Sequence, residues 1–126
     1  MSTIRVDNFG PSAGGTTYSA RGIAKAWVNF NGTGTIAARD SENVSSLTDV
    51  AVGKFTISIS SAMSDTNYVV NCSCADTTTT DQAAFSGSSN FSPDYTTSSY
   101  RIGGMNFTGN IQDKIYNFSV VFGDLA

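Results

Sequence analysis

The chain has 126 residues, which suits one domain around one core. Hydrophobic residues make up 40% and charged residues only 13%, against roughly 25% charged in ordinary soluble domains; Ser, Thr, Asn and Gly fill the difference. A net charge of −3, with the seven Lys and Arg scattered, argues against a partner held by a basic surface, either nucleic acid or anionic lipid.

The chain contains no histidine. That removes Ser-His-Asp and Cys-His catalysis, His-ligated metals and the usual general base near neutral pH. No apolar run approaches the roughly 20 residues that cross a bilayer. The opening "MSTIRVDNFGPSAGG" lacks the apolar core of a signal peptide, so synthesis in a cytoplasm without membrane insertion is expected.

Residues 1–25 read as an extended N-terminal attachment segment or linker, with Gly-Gly, a proline and few large apolar residues after Phe9. Within it "TIRVDNF" suggests one short strand and "SARGIAKAW" a helical turn. Residues 26–126 form the domain proper. "AWVNFN" runs into "GTGT" and continues as "TIAARD", which is strand, turn and strand. A phosphate loop would lead into a helix instead, so a hairpin is expected, with Asn31 and Gly32 supplying positive φ. "TIAARDS" and "NVSSLTDV" are weaker strands joined by "DSEN". "GKFTISISS" places Phe55, Ile57 and Ile59 on one face and Thr56, Ser58 and Ser60 on the other, the mark of a half-buried antiparallel strand.

"NYVVNCSCA" places Tyr68, Val70, Cys72 and Cys74 together. Two cysteines on one strand face are poorly placed to bond each other, so both are expected as reduced, structural residues. Residues 76–99 form a long polar connection, and loops of that length are usually functional or disordered. "SYRIGGMNF" alternates before Gly103 and Gly104 permit a bulge. In "KIYNFSVVFG", Tyr116, Phe118, Val120 and Phe122 line one face, Asn117 and Ser119 the other. Many short strands separated by turns predict an all-β fold: an antiparallel β-sandwich, jelly-roll or Ig-like, or an open barrel.

Three kinds of site are conceivable. Loop carboxylates (Asp40, Glu42, Asp65, Asp76, Asp81 and Asp94) offer a pair for glycoside hydrolysis if two stand about 5–10 Å apart, or a calcium site. Loop Asp residues more often cap turns, and no calcium-loop spacing occurs; no catalytic residue, metal or cofactor is assigned. Aromatic residues in and beside the polar connection are the stronger signal. Phe85, Phe91, Asp94, Tyr95, Tyr100 and Arg101 combine rings with hydrogen-bonding groups, as a bound glycan requires; the same rings would also anchor the loop to its own sandwich or to a neighbouring subunit. Trp27, beside Val28 in a strand, is expected in the core or at an interface.

From Ala24 to Val70 the chain resembles a module of tailed-bacteriophage tail fibres and related virion attachment proteins, of the marine and cyanobacterial phage type. The elements that carry the resemblance are Trp27 to Gly32 ("WVNFNG"), Asn43 to Ser46 with Thr48 and Asp49, the alternating strand Phe55 to Ile59, and Ala62 to Val70; "MSTIRVDNF" also looks like the opening of short fibre proteins. The resemblance implies a virion protein made in the host cytoplasm, homotrimeric, docked to other virion proteins through its N-terminal segment. It implies a non-enzymatic role: attachment to a host cell-surface glycan, strengthened by multivalency, with residues 76–100 as the variable part. Val69 and Val121, apolar residues on otherwise polar strand faces, would then meet a partner. A structural virion role (capsid decoration, head fibre or tail connector) is the alternative, and a small depolymerase the third reading.

Overall fold

Strand β3 (Ala26–Asn31) turns Ala26, Val28 and Phe30 inward and Trp27, Asn29 and Asn31 outward, and β6 (Lys54–Ile59) turns in Phe55, Ile57 and Ile59. Strands with one apolar face must bury it against another layer. These two bury theirs against each other, and the rings of Phe30 and Phe55 meet edge to face with centroids 5.1 Å apart.

The computed structural model describes residues 8–10, 14–16, 18–19, 22–76, 83–86, 95–106 and 108–126, with Phe9, Tyr18, Ser19 and Ala83–Ser86 as backbone alone. The other strands are β1 (Asn8–Phe9), β2 (Tyr18–Ser19), β4 (Ala37–Glu42), β5 (Val44–Ala51), β7 (Val69–Ala75), β8 (Ala83–Ser86), β9 (Tyr95–Thr96), β10 (Ser99–Met105) and β11 (Tyr116–Phe122). The fold is all-β. A front sheet of order β4-β3-β11-β7 packs on a back sheet of order β5-β6-β10-β8, in which β9 pairs with the start of β10. Every pairing is antiparallel. The sheets do not close into a barrel, and the architecture is that of a β-sandwich. One inner strand of each sheet, β10 and β11, comes from the C-terminal part of the chain: β10 lies between β6 and β8, and β11 between β3 and β7.

The chain changes sheets at Asn43, which alone separates β4 from β5 and adopts a φ of 55°. Asn43 Nδ2 donates to the carbonyls of Lys25 (2.9 Å) and Ser61 (3.2 Å), while its Oδ1 accepts from the Ser61 amide (2.7 Å). An asparagine tolerates the left-handed conformation better than most residues, and here its side chain also ties three segments together at the corner.

Several local expectations are revised. "NGTGT" does join a hairpin, but the positive φ falls at Gly34 (63°) rather than at Asn31 or Gly32. Asn31 instead closes the turn through its side chain, accepting from the Thr33 hydroxyl at 2.9 Å and donating to the Thr33 carbonyl at 2.8 Å. Gly32 is required by close approach: a Cβ there would stand 2.6 Å from Asn117 Nδ2, 2.7 Å from the Phe55 ring and 2.9 Å from the Lys114 carbonyl. "SARGIAKAW" has a 3-10 turn at Gly22 and then ends in strand β3. Asn8–Phe9 pairs with Tyr18–Ser19 in a small separate sheet. The connection from 76 to 99 contains strands β8 and β9, too short to show alternation.

The largest revision concerns β11. Its inward set is Asn117, Ser119 and Val121, all buried, whereas Phe118 is 37% exposed on the outer face with Tyr116, Val120 and Phe122. Val121 is therefore a core residue and not a partner-facing one. Val69, by contrast, is 62% exposed.

Candidate functional site

The reversal of β11 has its cause in hydrogen bonding inside the sandwich. A buried polar group is tolerable when it is hydrogen-bonded, and each inward polar side chain of β11 has its partner. Tyr100 Oη and Ser119 Oγ lie 2.8 Å apart, bridging back sheet to front. Asn117 Nδ2 donates to the Lys114 carbonyl at 2.8 Å. With its polar face satisfied inside, β11 presents its aromatic face outside.

Register then builds the outer surface. Val120 stands opposite Trp27 on one side and Asn71 on the other; Phe118 stands opposite Asn29 and Ser73. Side chains directly opposite in adjacent strands touch, so rings and amides form a checkerboard: Trp27, Val120 and Asn71 in one row, Asn29, Phe118 and Ser73 in the next. They line an open groove of about 310 Å³, at the small end of the roughly 300–1,000 Å³ of small-molecule sites.

The next row is held by Arg39, at the β-bulge between β3 and β4. Its guanidinium lies 4.4 Å from the centre of the Tyr116 ring. It donates to the Ile115 carbonyl at 2.7 Å and to Asn29 Oδ1 at 3.3 Å. The rings of Tyr116 and Phe118 are parallel, 2° between planes, with centroids 6.4 Å apart. Arg39 thus fixes the amide of Asn29 with its oxygen toward the guanidinium, and the Nδ2 donors of Asn29 are not used in that bond.

The residues singled out from sequence do not converge on one surface. Phe91 and Asp94 lie outside the described residues, and Phe85 is seen only as backbone in β8, opposite Gly103. Tyr100 is 0% exposed and belongs to the core, so its ring offers no platform to a ligand. Tyr95 is half-buried and packs edge to face on Tyr68, centroids 5.3 Å apart. Adjacent strand residues point to opposite faces; Arg101 accordingly leaves on the outer face of the back sheet, where its Nε donates to Thr56 Oγ1 at 3.2 Å. Burial pushes the Tyr68 hydroxyl well above the ordinary tyrosine range and that of Tyr100 up to about 12, the latter despite its hydrogen bond to Ser119.

The carboxylates whose bonds are seen accept from backbone amides. Asp65 accepts from the Asn67 amide (2.7 Å), Asp40 from that of Ser41 (2.9 Å) and Asp113 from that of Gly53 (2.6 Å). Among the described residues no group of three acidic or cysteine side chains gathers around one point, and no helix is long and apolar enough to cross a membrane.

Sequence reasoning missed Asn29, Asn71 and Phe118, and placed Trp27 in the core or an interface. The available signal was the parity of β3: if Ala26, Val28 and Phe30 face inward, Trp27 faces outward. The chain is a β-sandwich with an open groove on the outer face of its front sheet. No protein-family model, curated protein or solved structure matches this chain.

Proposed function

We propose that the chain is an attachment module of a bacteriophage virion, in a tail fibre or tail tip, that holds a host-surface glycan without cleaving it. The observation that carries this reading is the outer face of the front sheet, where rings and amides alternate around an open groove. Rings stack on the C–H faces of sugars while amides bind their hydroxyls. The "WVNFNG" resemblance supports the virion setting, and its Trp27 and Asn29 contribute to that face. A homotrimer, anchored to other virion proteins by residues 1–25, would hold several weak sites together and multiply their effective affinity.

The second reading, a capsid decoration, head fibre or connector protein, is favoured by the apolar side chains exposed away from the groove, Val50 at 44% and Val52 at 64%. Labelled full-length protein incubated with an array of bacterial surface polysaccharides separates the two. The attachment reading expects saturable binding with no release of reducing ends, and a stable trimer by light scattering. Failure to bind any glycan or host cell would reject attachment and leave the structural role; release of reducing ends would establish a depolymerase.

A further inference from the structure

Resting on that attachment reading, we infer that the groove over Trp27 and Phe118 is the sugar subsite and that it takes an uncharged hexopyranose, as a monosaccharide unit or disaccharide end. Adjacent strands lie about 4.8 Å apart, so the checkerboard from β3 across β11 to β7 spans roughly 10 Å, the width of one or two sugar rings. Trp27 and Phe118 are diagonal neighbours on β3 and β11; Asn29 stands beside Phe118 on β3, and Asn71 stands across Val120 from Trp27 on β7. A pyranose resting its C–H face on the aromatic diagonal brings its rim hydroxyls to the amides. The Asn71 amide can donate and accept, and Asn29, its oxygen turned toward Arg39, offers Nδ2 as a donor, which together match a pair of neighbouring hydroxyls. Ser73 adds a hydroxyl of its own in the Phe118 row.

Charge decides the class of sugar. Among the described residues no charged side chain lines the groove, so none of them compensates a uronate, sialate or phosphate. Asp40 and Glu42 stand at its β4 rim, opposite Asn29 and Trp27. Arg39, the nearby cation, is engaged by Tyr116, Ile115 and Asn29. The chain as a whole carries −3. A second copy of the chain is the competing occupant, but the buried centres of protein interfaces are depleted in charged groups, and Asp40 and Glu42 stand directly beside Asn29 and Trp27 on this face.

Trp27 is the chain's single tryptophan, so its emission reports directly on the groove. The experiment is a fluorescence titration of the full chain with glucose, galactose, mannose, N-acetylglucosamine and their disaccharides, and with glucuronate, galacturonate and sialate. The expected result is a saturable change with at least one neutral sugar, and about fivefold weaker binding of its uronate, the effect of one like charge a few ångströms away in water. Array binding, read without tryptophan, should fall at least about tenfold in Trp27→Ala and in Phe118→Ala and be largely kept in Trp27→Phe. Array binding that survives both alanine changes would overturn the subsite while leaving the attachment reading intact, as would a wild-type preference for anionic sugars. An emission shift that follows protein concentration and oligomer mass, and not sugar, would assign the face to a second copy. No glycan binding by wild type at all would overturn both this subsite and the function proposed above.

Discussion

The two outer faces of the sandwich are made by the same alternation and have opposite chemistry. On the back sheet the outward residues in register across β5, β6 and β10 are polar, with Val50 the exposed apolar exception on β5: Thr56 stands opposite Arg101 and Thr48, and Ser58 opposite Ser99 and Ser46. On the front sheet they include Trp27, Phe118, Val120 and Tyr116, set among asparagines. A back face of Ser and Thr is what a solvated sheet needs and no more. Rings on the front are not needed by the core, which Phe30, Phe55, Ile57 and Tyr100 already fill. The difference teaches that large apolar residues mark burial only when the opposite face of the strand has nothing better to offer the interior.

The hardest test of that contrast sets one phenylalanine against another. Phe55 is fully buried against Phe30, and Phe55→Ala should cost about 3–5 kcal/mol through lost transfer energy and the cavity left behind. Urea unfolding with an unchanged m-value measures it. A loss below about 1 kcal/mol would mean that the interface between the sheets is not the main core.

Next in size is the polar interior that turns β11 around. Tyr100→Phe removes the bridge to Ser119 Oγ and should cost about 1–3 kcal/mol, because it strands a buried hydroxyl; Tyr100→Phe combined with Ser119→Ala should recover part of that loss. No recovery would show that the bridge does not hold the orientation of β11. The same tyrosine predicts a pH dependence. Its folded pKa lies near 12 against an ordinary 10.0, raised by burial, so the folded state holds its proton longer than the unfolded chain. Its contribution is therefore complete below pH 10.0 and declines as pH rises toward about 12. Tyr68, raised further by its own burial, acts in the same direction. Alkaline unfolding followed by tyrosinate absorbance should begin above pH 10.0, with a shallower slope in Tyr100→Phe.

The back sheet was readable because its information is local. Phe55, Ile57 and Ile59 alternate with Thr and Ser, and both the strand and its buried face follow. β11 was not readable in the same way. Its two parities each hold apolar residues, and the choice between them rests on Tyr100 and on the Lys114 carbonyl, which no local pattern links to Ser119 and Asn117. The candidate site failed for the same reason. Tyr100 and Arg101 look like neighbours of the polar connection, yet adjacent strand positions send one to the core and the other to the outer surface of the back sheet. The hairpin after Phe30 was legible as a turn, but the packing against Phe55 and Asn117 that demands Gly32 is set by distant segments.

The smallest expected effect on stability is the one that separates the faces most cleanly. Phe118 is 37% exposed and its ring stacks parallel to that of Tyr116. Losing one aromatic neighbour and part of its area makes Phe118→Ala cost about 1 kcal/mol or less, a fraction of the cost of Phe55→Ala. The side chain removed is the same, so the comparison isolates where the ring sits. If the sandwich needs its front rings for folding, the two costs converge and the outer face is structure. If they stay apart while sugar binding falls in Phe118→Ala, stability has been assigned to the inner face of the sandwich and recognition to the outer face of its front sheet.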